Sequence, residues 1–127
     1  MDVILDTNAV SALFVGDRAL GAVLGEAARH HLPTVVIGEY RYGLLRSRQR
    51  SQLEELLEAL IEQSVVLAVD QTTAEVYSRV RYELRVKGRP IPENDIWIAA
   101  LARQHLQPVV TRDEHFDKVS ELQRVGW

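Results

Sequence analysis

The sequence predicts an α/β fold: a three-layer α/β/α sandwich around a mostly parallel sheet. Three observations lead there. Short apolar runs alternate along the chain with longer segments of helical period. The runs lack the polar–apolar alternation of strands with one wet face, so the sheet is expected to be covered on both sides. The chain has 127 residues, 46% hydrophobic and 26% charged, which suits one domain over residues 1–127 with a core of its own.

The elements follow in order. Residues 2–5 (Asp2, Val3, Ile4, Leu5) form a first strand that ends at Asp6. Helices are expected over 8–15 and 18–30, broken at Gly16 and Asp17. Residues 33–37, Pro-Thr-Val-Val-Ile, are rich in β-branched side chains and read as a buried strand, followed by a helix over 39–47. In 50–63, Leu53, Leu56, Leu57, Leu60 and Ile61 repeat at i, i+3, i+4, i+7 and i+8, which makes one apolar helix face. Val65 to Val69 read as a third strand. Thr72-Thr73-Ala74-Glu75 reads as a capping box opening a helix to about Val86. Gly88, Pro90 and Pro92 exclude a helix and mark a loop. Asn94 is placed to cap a helix over 95–105, whose run Ile96-Trp97-Ile98-Ala99-Ala100-Leu101-Ala102 is apolar all round and therefore buried. Residues 108–111 form a fourth strand, and 125–127 a short edge.

Composition excludes several chemistries. With no cysteine, the chain has no disulfide, thiol nucleophile or iron–sulfur site. No apolar run approaches the roughly 20 residues that span a bilayer, and the start MDVILDTNAV lacks the basic region of a signal peptide, so a cytoplasmic protein is expected. No Gly-x-Ser-x-Gly elbow or Gly-Lys-Ser/Thr loop is present, which leaves serine hydrolases and nucleotide switches unsupported. The net charge of −3 argues against gripping nucleic acid by bulk charge. The distribution is uneven, however. Nine of the 15 basic residues fall in two stretches, 41–50 and 79–89, which hold Arg41, Arg46, Arg81 and Arg85 among others. Such stretches are equally well read as solvated helix faces.

The acids carry more information. In an open parallel sheet, ligands bind beyond the carboxyl ends of the strands. Asp6, Glu39 and Asp113 each fall within two residues of an expected strand end, and Asp95 opens the buried helix. Each has a plain alternative: Asp6 as a helix cap, Glu39 and Asp95 as partners of a helix dipole, Asp113 as a turn residue. Together they would repel unless a cation joined them. Oxygen-only donors suit a hard ion, Mg²⁺ or Mn²⁺, and hence phosphate-ester chemistry.

At these residues the sequence resembles the PIN-domain ribonucleases, and within them the VapC-type toxins of bacterial toxin–antitoxin pairs. The likeness rests on Val3-Ile4-Leu5-Asp6-Thr7-Asn8, on Val36-Ile37-Gly38-Glu39 with Gly43, on Pro90 through Ala100 including Asn94-Asp95-Ile96-Trp97, and on Val109-Val110-Thr111-Arg112-Asp113-Glu114-His115-Phe116. It implies a metal-dependent endoribonuclease that leaves 5′-phosphate and 3′-hydroxyl ends. It also implies Asp6, Glu39, Asp95 and Asp113 as the acidic pocket, with Asp6 and Asp95 as the foremost ligands. Thr7, Asn8 and Thr111 would support those acids, and Asp117 would be peripheral. The partners implied are RNA, a VapB-like antitoxin whose peptide enters the pocket, and a second copy in a homodimer. In that setting Arg41, Arg46, Arg81 and Arg85 would contact the RNA backbone. Tyr40, Tyr42, Tyr77 and Tyr82 would stack on bases or pack at helix contacts.

Three rivals remain open on sequence alone. Paired histidines can cleave RNA without metal, and His30, His31, His105 and His115 are available; the first three read as residues at helix C-termini, and His115, near Asp113, could lie at the pocket edge. A phosphate-accepting receiver domain could use Asp70, although one acid rather than two follows the first strand and no Lys follows the fourth. A PIN-like module could bind RNA or protein without cleaving.

Overall fold

The computed structural model describes all 127 residues. A five-stranded sheet, parallel throughout, has the order β3-β2-β1-β4-β5. Its strands are β1 (Asp2–Leu5), β2 (Arg29–Pro33), β3 (Val65–Leu67), β4 (Val109–Val110) and β5 (Arg124–Val125). Six helices flank it: α1 (Thr7–Phe14), α2 (Arg18–Gly25), α3 (Thr34–Leu44), α4 (Arg50–Gln63), α5 (Gln71–Val86) and α6 (Glu93–His105). A 3₁₀ helix (Glu114–Lys118) joins β4 to β5. This is the expected three-layer arrangement. No helix is long and apolar enough to cross a membrane.

Strand order reverses at β1. The chain builds outward through β2 and β3, then returns to place β4 on the other side of β1. The gap between the carboxyl ends of β1 and β4 is therefore the crevice where open α/β sheets bind ligands. Val3, Ile4, Leu5, Val109 and Val110 are buried at the centre, so the residues that follow them inherit a rigid base.

The second strand is not where β propensity puts it. Residues 29–33 (Arg-His-His-Leu-Pro) form β2, and the β-branched run at 34–37 begins α3. Pro33 caps α3 at φ −64°, the value its ring imposes and a helix start accepts. β-Branching costs a helix only tenths of a kcal/mol per residue. Val36, Tyr40 and Leu44 recur four apart on α3 and are buried, and that burial outweighs the propensity. The expected helix over 18–30 stops at Gly25 for the same reason, because residues 29–31 are taken into register with Asp2, Val3 and Ile4. His30 and His31 thus lie in the sheet rather than at a helix end. His31 Nε2 faces Asp2 Oδ2 at 3.2 Å, so the buried ring has a partner.

Two caps also differ from expectation. The capping box of α5 is Asp70 with Thr73, not Thr72 with Glu75: the Thr73 N–H donates to Asp70 Oδ1 at 2.9 Å and the Asp70 N–H to Thr73 Oγ1 at 3.1 Å. The Thr73 hydroxyl, at 3.0 Å, and Gln104 Nε2, at 3.2 Å, also approach Asp70 Oδ1 as donors. These bonds hold the Asp70 carboxyl below its ordinary value. Asp70 therefore serves as a cap beside the edge strand β3, which removes it as a phosphate acceptor. In α6, Pro92 is the cap residue and Asn94 makes no cap bond. Glu93 and Asp95 in the first turn meet the helix dipole instead.

α6 is the central helix. Ile98, Ala99, Ala100 and Leu101 are fully buried, and α5 packs along it. Leu101→Ala is expected to destabilise the fold by about 3 kcal/mol, the usual size of a transfer-plus-cavity loss. Urea unfolding would read it, and a change below about 1 kcal/mol would mean the site collapses around the void.

Candidate active site

Asp6 follows β1 and caps α1. Its Oδ1 accepts from the Thr7 N–H at 2.8 Å and its Oδ2 from Thr111 Oγ1 at 2.7 Å. Thr111 follows β4 and is fully buried, so the two central strand ends are joined by one hydroxyl. A hydroxyl has one proton, and Asp6 receives it as the nearest acceptor and an acid. Asn8 then gives Nδ2–H to Thr111 Oγ1 at 3.1 Å and accepts the Arg112 N–H through Oδ1 at 3.2 Å. The Asp113 N–H also donates to Thr111 Oγ1, at 3.0 Å. Thr111 and Asn8 thereby lock Asp6 and Asp113 in relation to each other.

Glu39 arrives by a different route from the one its spacing suggests. It lies in the second turn of α3, not directly after a strand. Because α3 starts at the carboxyl end of β2, the helix still carries Glu39 to the same end of the sheet. Thr7 Oγ1 donates to Glu39 Oε1 at 3.2 Å. Asp95 is buried in the first turn of α6, and Asp113 caps the 3₁₀ helix.

His115 was the ambiguous residue of the sequence, and its place is central. Its Nδ1 lies 3.0 Å from Asp95 Oδ2 and 3.0 Å from Asp113 Oδ1. Its backbone N–H donates to Asp113 Oδ1 at 2.9 Å. Asp95, Asp113 and His115 bring ligand atoms within 4.8 Å of one another. Asp6 is joined to Asp113 through Thr111 and acts on Asp95 by its charge, and Glu39 is joined to Asp6 through Thr7 and by its charge. The other histidines are remote. His31 pairs with Asp2 at the opposite end of β1, and His105 is ten residues along α6 from Asp95, about 15 Å by helix rise. No two histidines share the site, and paired-histidine chemistry has no basis here.

The electrostatics are those of crowded, buried acids. Burial pushes the Asp95 carboxyl up to about 6; the bond from His115 opposes this, and the charges of Asp6 and Asp113 reinforce it. Burial also raises Asp6, against the hydrogen bonds from Thr111 and Thr7, and the charges of Glu39 and Asp113 push the same way. Each acid makes its neighbour harder to ionise, and a cation placed among them reverses both effects. Four carboxylates and one imidazole, with no sulfur, fit a hard or borderline divalent ion.

Open clefts flank the acids. One of about 580 Å³ is lined by Asp113 and His115 with Arg89, Arg112 and Lys118. Another of about 610 Å³ is lined by Glu39, Tyr42, Gly38, Val35 and Asn94. The four arginines singled out by charge density lie outside both. Arg41 donates to Glu58 at 2.6 Å, Arg46 lies 5.3 Å over the Tyr42 ring, and Arg81 bonds the Tyr77 hydroxyl. Arg85 lines a smaller cleft with Arg81. Arg112, by contrast, lines the cleft although it is an isolated cation, and only its position between Thr111 and Asp113 marks it in the sequence. It is held by the Trp127 ring at 4.7 Å and by Asp17 at 3.4 Å. Tyr40 packs edge-on to Phe14 and Tyr77 stacks on Trp97, so these two are packing residues, while Tyr42 and Tyr82 are exposed. Asp117 makes two bonds to Arg124 on the surface.

Comparison with known proteins adds the following. The PIN domain family model matches residues 3–122. Ribonuclease VapC5 of Mycobacterium tuberculosis is 32% identical over 116 residues, covering 89% of this chain and 84% of that protein. VapBC-5 of the same organism, a member of the VapBC family of toxin-antitoxin systems, has a structure that superposes with a TM-score of 0.77 at 29% identity, covering 99% of this chain and 98% of that one. VapBC-1 from nontypeable Haemophilus influenzae superposes with a TM-score of 0.88 at 25% identity, covering 100% and 98%.

Proposed function

The chain belongs to the PIN domain family, and from that premise we propose that it is a divalent-metal-dependent endoribonuclease of the VapC toxin type, silenced by a partner antitoxin. The observation that carries this reading is the joining of buried Asp6 to Asp113 through Thr111, beside Asp95, at the switch point of the sheet. The relatives support it by kind: VapC5 is named a ribonuclease, and VapBC-5 a member of a toxin-antitoxin family.

Asp6 and Asp95 are the residues to hold the ion, with Asp113 and Glu39 completing the acidic lining. A divalent ion there would neutralise the carboxylates and lower the pKa of a bound water toward 7. The protein's share is positioning. Thr111 and the Thr7 N–H fix both oxygens of Asp6, so its orientation is set before substrate arrives. Glu39, steadied by Thr7, orients the attacking water and takes up its proton, while Asp113, steadied by the His115 N–H, completes the set that would hold the ion. Arg112, Arg89 and Lys118 meet the RNA backbone in the cleft beside Asp113, and Arg41, Arg46, Arg81 and Arg85 supply contacts further out. Tyr42, exposed beside Glu39, offers a stacking face to an unpaired base.

Incubation of the purified chain with single-stranded RNA tests the reading. Cleavage is expected to stop in EDTA and to return when Mg²⁺ or Mn²⁺ is added in excess. Undiminished cleavage in chelator would overturn it. RNA that is bound but left whole in every buffer would point to the non-catalytic module instead.

A further inference from the structure

His115 faces two acids at once. Its Nδ1 is 3.0 Å from an oxygen of Asp95 on α6 and 3.0 Å from an oxygen of Asp113 at the end of β4. One N–H serves one acceptor: only the Asp95 contact has hydrogen-bond geometry, and the Asp113 oxygen, equally near, gets no proton from the ring. Equal approach to both is a good coordination arrangement. In an octahedral shell with bonds of about 2.1 Å, neighbouring ligand atoms stand about 3.0 Å apart. The spacing of the ring nitrogen from each acid is of that size, and all three ligand atoms lie within 4.8 Å of one another.

The trio is also held in place by the backbone. The His115 N–H binds Asp113 Oδ1, and the Asp113 N–H binds Thr111, so residues 111, 113 and 115 form one braced turn. Asp95 is anchored separately by the buried first turn of α6. The His115 side chain keeps 42% of its exposure, which leaves the ring able to approach an ion without repacking the core.

We propose that His115 Nδ1 is a direct ligand of the metal, alongside Asp95 and Asp113, and that this nitrogen sets the site's preference for Mn²⁺ over Mg²⁺. The inference rests on the metal-dependent reading above and adds a ligand that an acids-only pocket does not contain. Mg²⁺ favours oxygen and keeps its waters, whereas transition ions accept imidazole readily. The ligating form is the neutral ring with its proton on Nε2.

Electron spin-echo spectroscopy of the Mn²⁺-loaded chain reads this without any assay of cleavage. Modulation from one ¹⁴N nucleus is expected, replaced by ¹⁵N coupling when the protein is made with ¹⁵N-labelled histidine. That version needs no substitution and cannot fail through misfolding. His115→Gln is expected to abolish the coupling. It should weaken Mn²⁺ binding, measured by calorimetry, about tenfold or more, the scale at which even outer-sphere partners act, while leaving Mg²⁺ binding within about threefold. Mn²⁺ that binds with no nitrogen coupling would overturn the assignment of His115 and leave the acidic site standing. A chain that binds neither ion would overturn the metal reading itself, and this inference with it.

Discussion

Asp95→Asn protein is expected to fold normally and to cleave RNA at least about a hundredfold more slowly than the parent chain, the scale set by losing one preorganised electrostatic contact to a transition state. Asn matches Asp in size and can keep a hydrogen bond to His115, so the geometry of the first turn of α6 should survive. The lost quantity is charge beside Asp6, Asp113 and His115. Asp6→Asn should behave alike, since the Thr7 N–H can still cap onto its carbonyl oxygen. Single-turnover cleavage in saturating Mn²⁺, with circular dichroism as the check on folding, measures both. A folded Asp95→Asn chain that cleaves at the parent rate would remove Asp95 from the chemistry.

How much of this site could be read from the sequence depends on how each residue is delivered. Asp6 and Asp113 were legible because Asp6 follows a hydrophobic strand at once and Asp113 follows one closely, and the ends of β1 and β4 are neighbours. Asp95 was legible because an acid opening an otherwise apolar helix has few places to go. Glu39 was found for a wrong local reason. The run Val35-Val36-Ile37 has strand propensity, yet its buried neighbours recur at helical spacing through Tyr40 and Leu44. The true strand, Arg-His-His-Leu-Pro, shows no pattern, because its stability comes from register with β1 and from the contact of His31 with Asp2. Such pairing is non-local and leaves no periodic trace. His115 was legible as a residue near Asp113 at the edge of the pocket, but its pairing with Asp95 was beyond reach for a related reason. Its meeting with Asp95 spans 20 residues and depends on a five-residue 3₁₀ turn that places the ring over α6. Charge density likewise favoured arginines on outer helix faces over the isolated Arg112 that lines the cleft.

The same crowding of acids predicts an unusual pH dependence of stability. Asp95 titrates near 6 in the metal-free fold and near 3.8 when unfolded. A carboxyl raised by folding binds its proton more tightly in the native state, so between those two values the folded chain holds more protons than the unfolded one. Stability from this group is therefore greatest below pH 4 and is lost as pH rises through 6, by on the order of 3 kcal/mol at most. Asp17, Asp70, Glu83 and Asp117 act in the opposite sense, since hydrogen bonds depress each of them, and their contribution is lost as pH falls. The total curve mixes both signs, but the difference between the parent and Asp95→Asn isolates the first. In EDTA at pH 7.5 the Asn variant is expected to melt several degrees above the parent, and the gap should shrink to about a third by pH 4.5 and close below pH 3.8. Saturating Mn²⁺ at pH 7.5 should then raise the parent by a similar amount, about 2.7 kcal/mol at a hundredfold excess over Kd, and raise the variant far less. Protons and metal compete for the same buried oxygens, so whichever arrives relieves the repulsion that the fold holds in place. Melting curves of the two proteins that run parallel across pH and metal would mean that Asp95 carries no such burden.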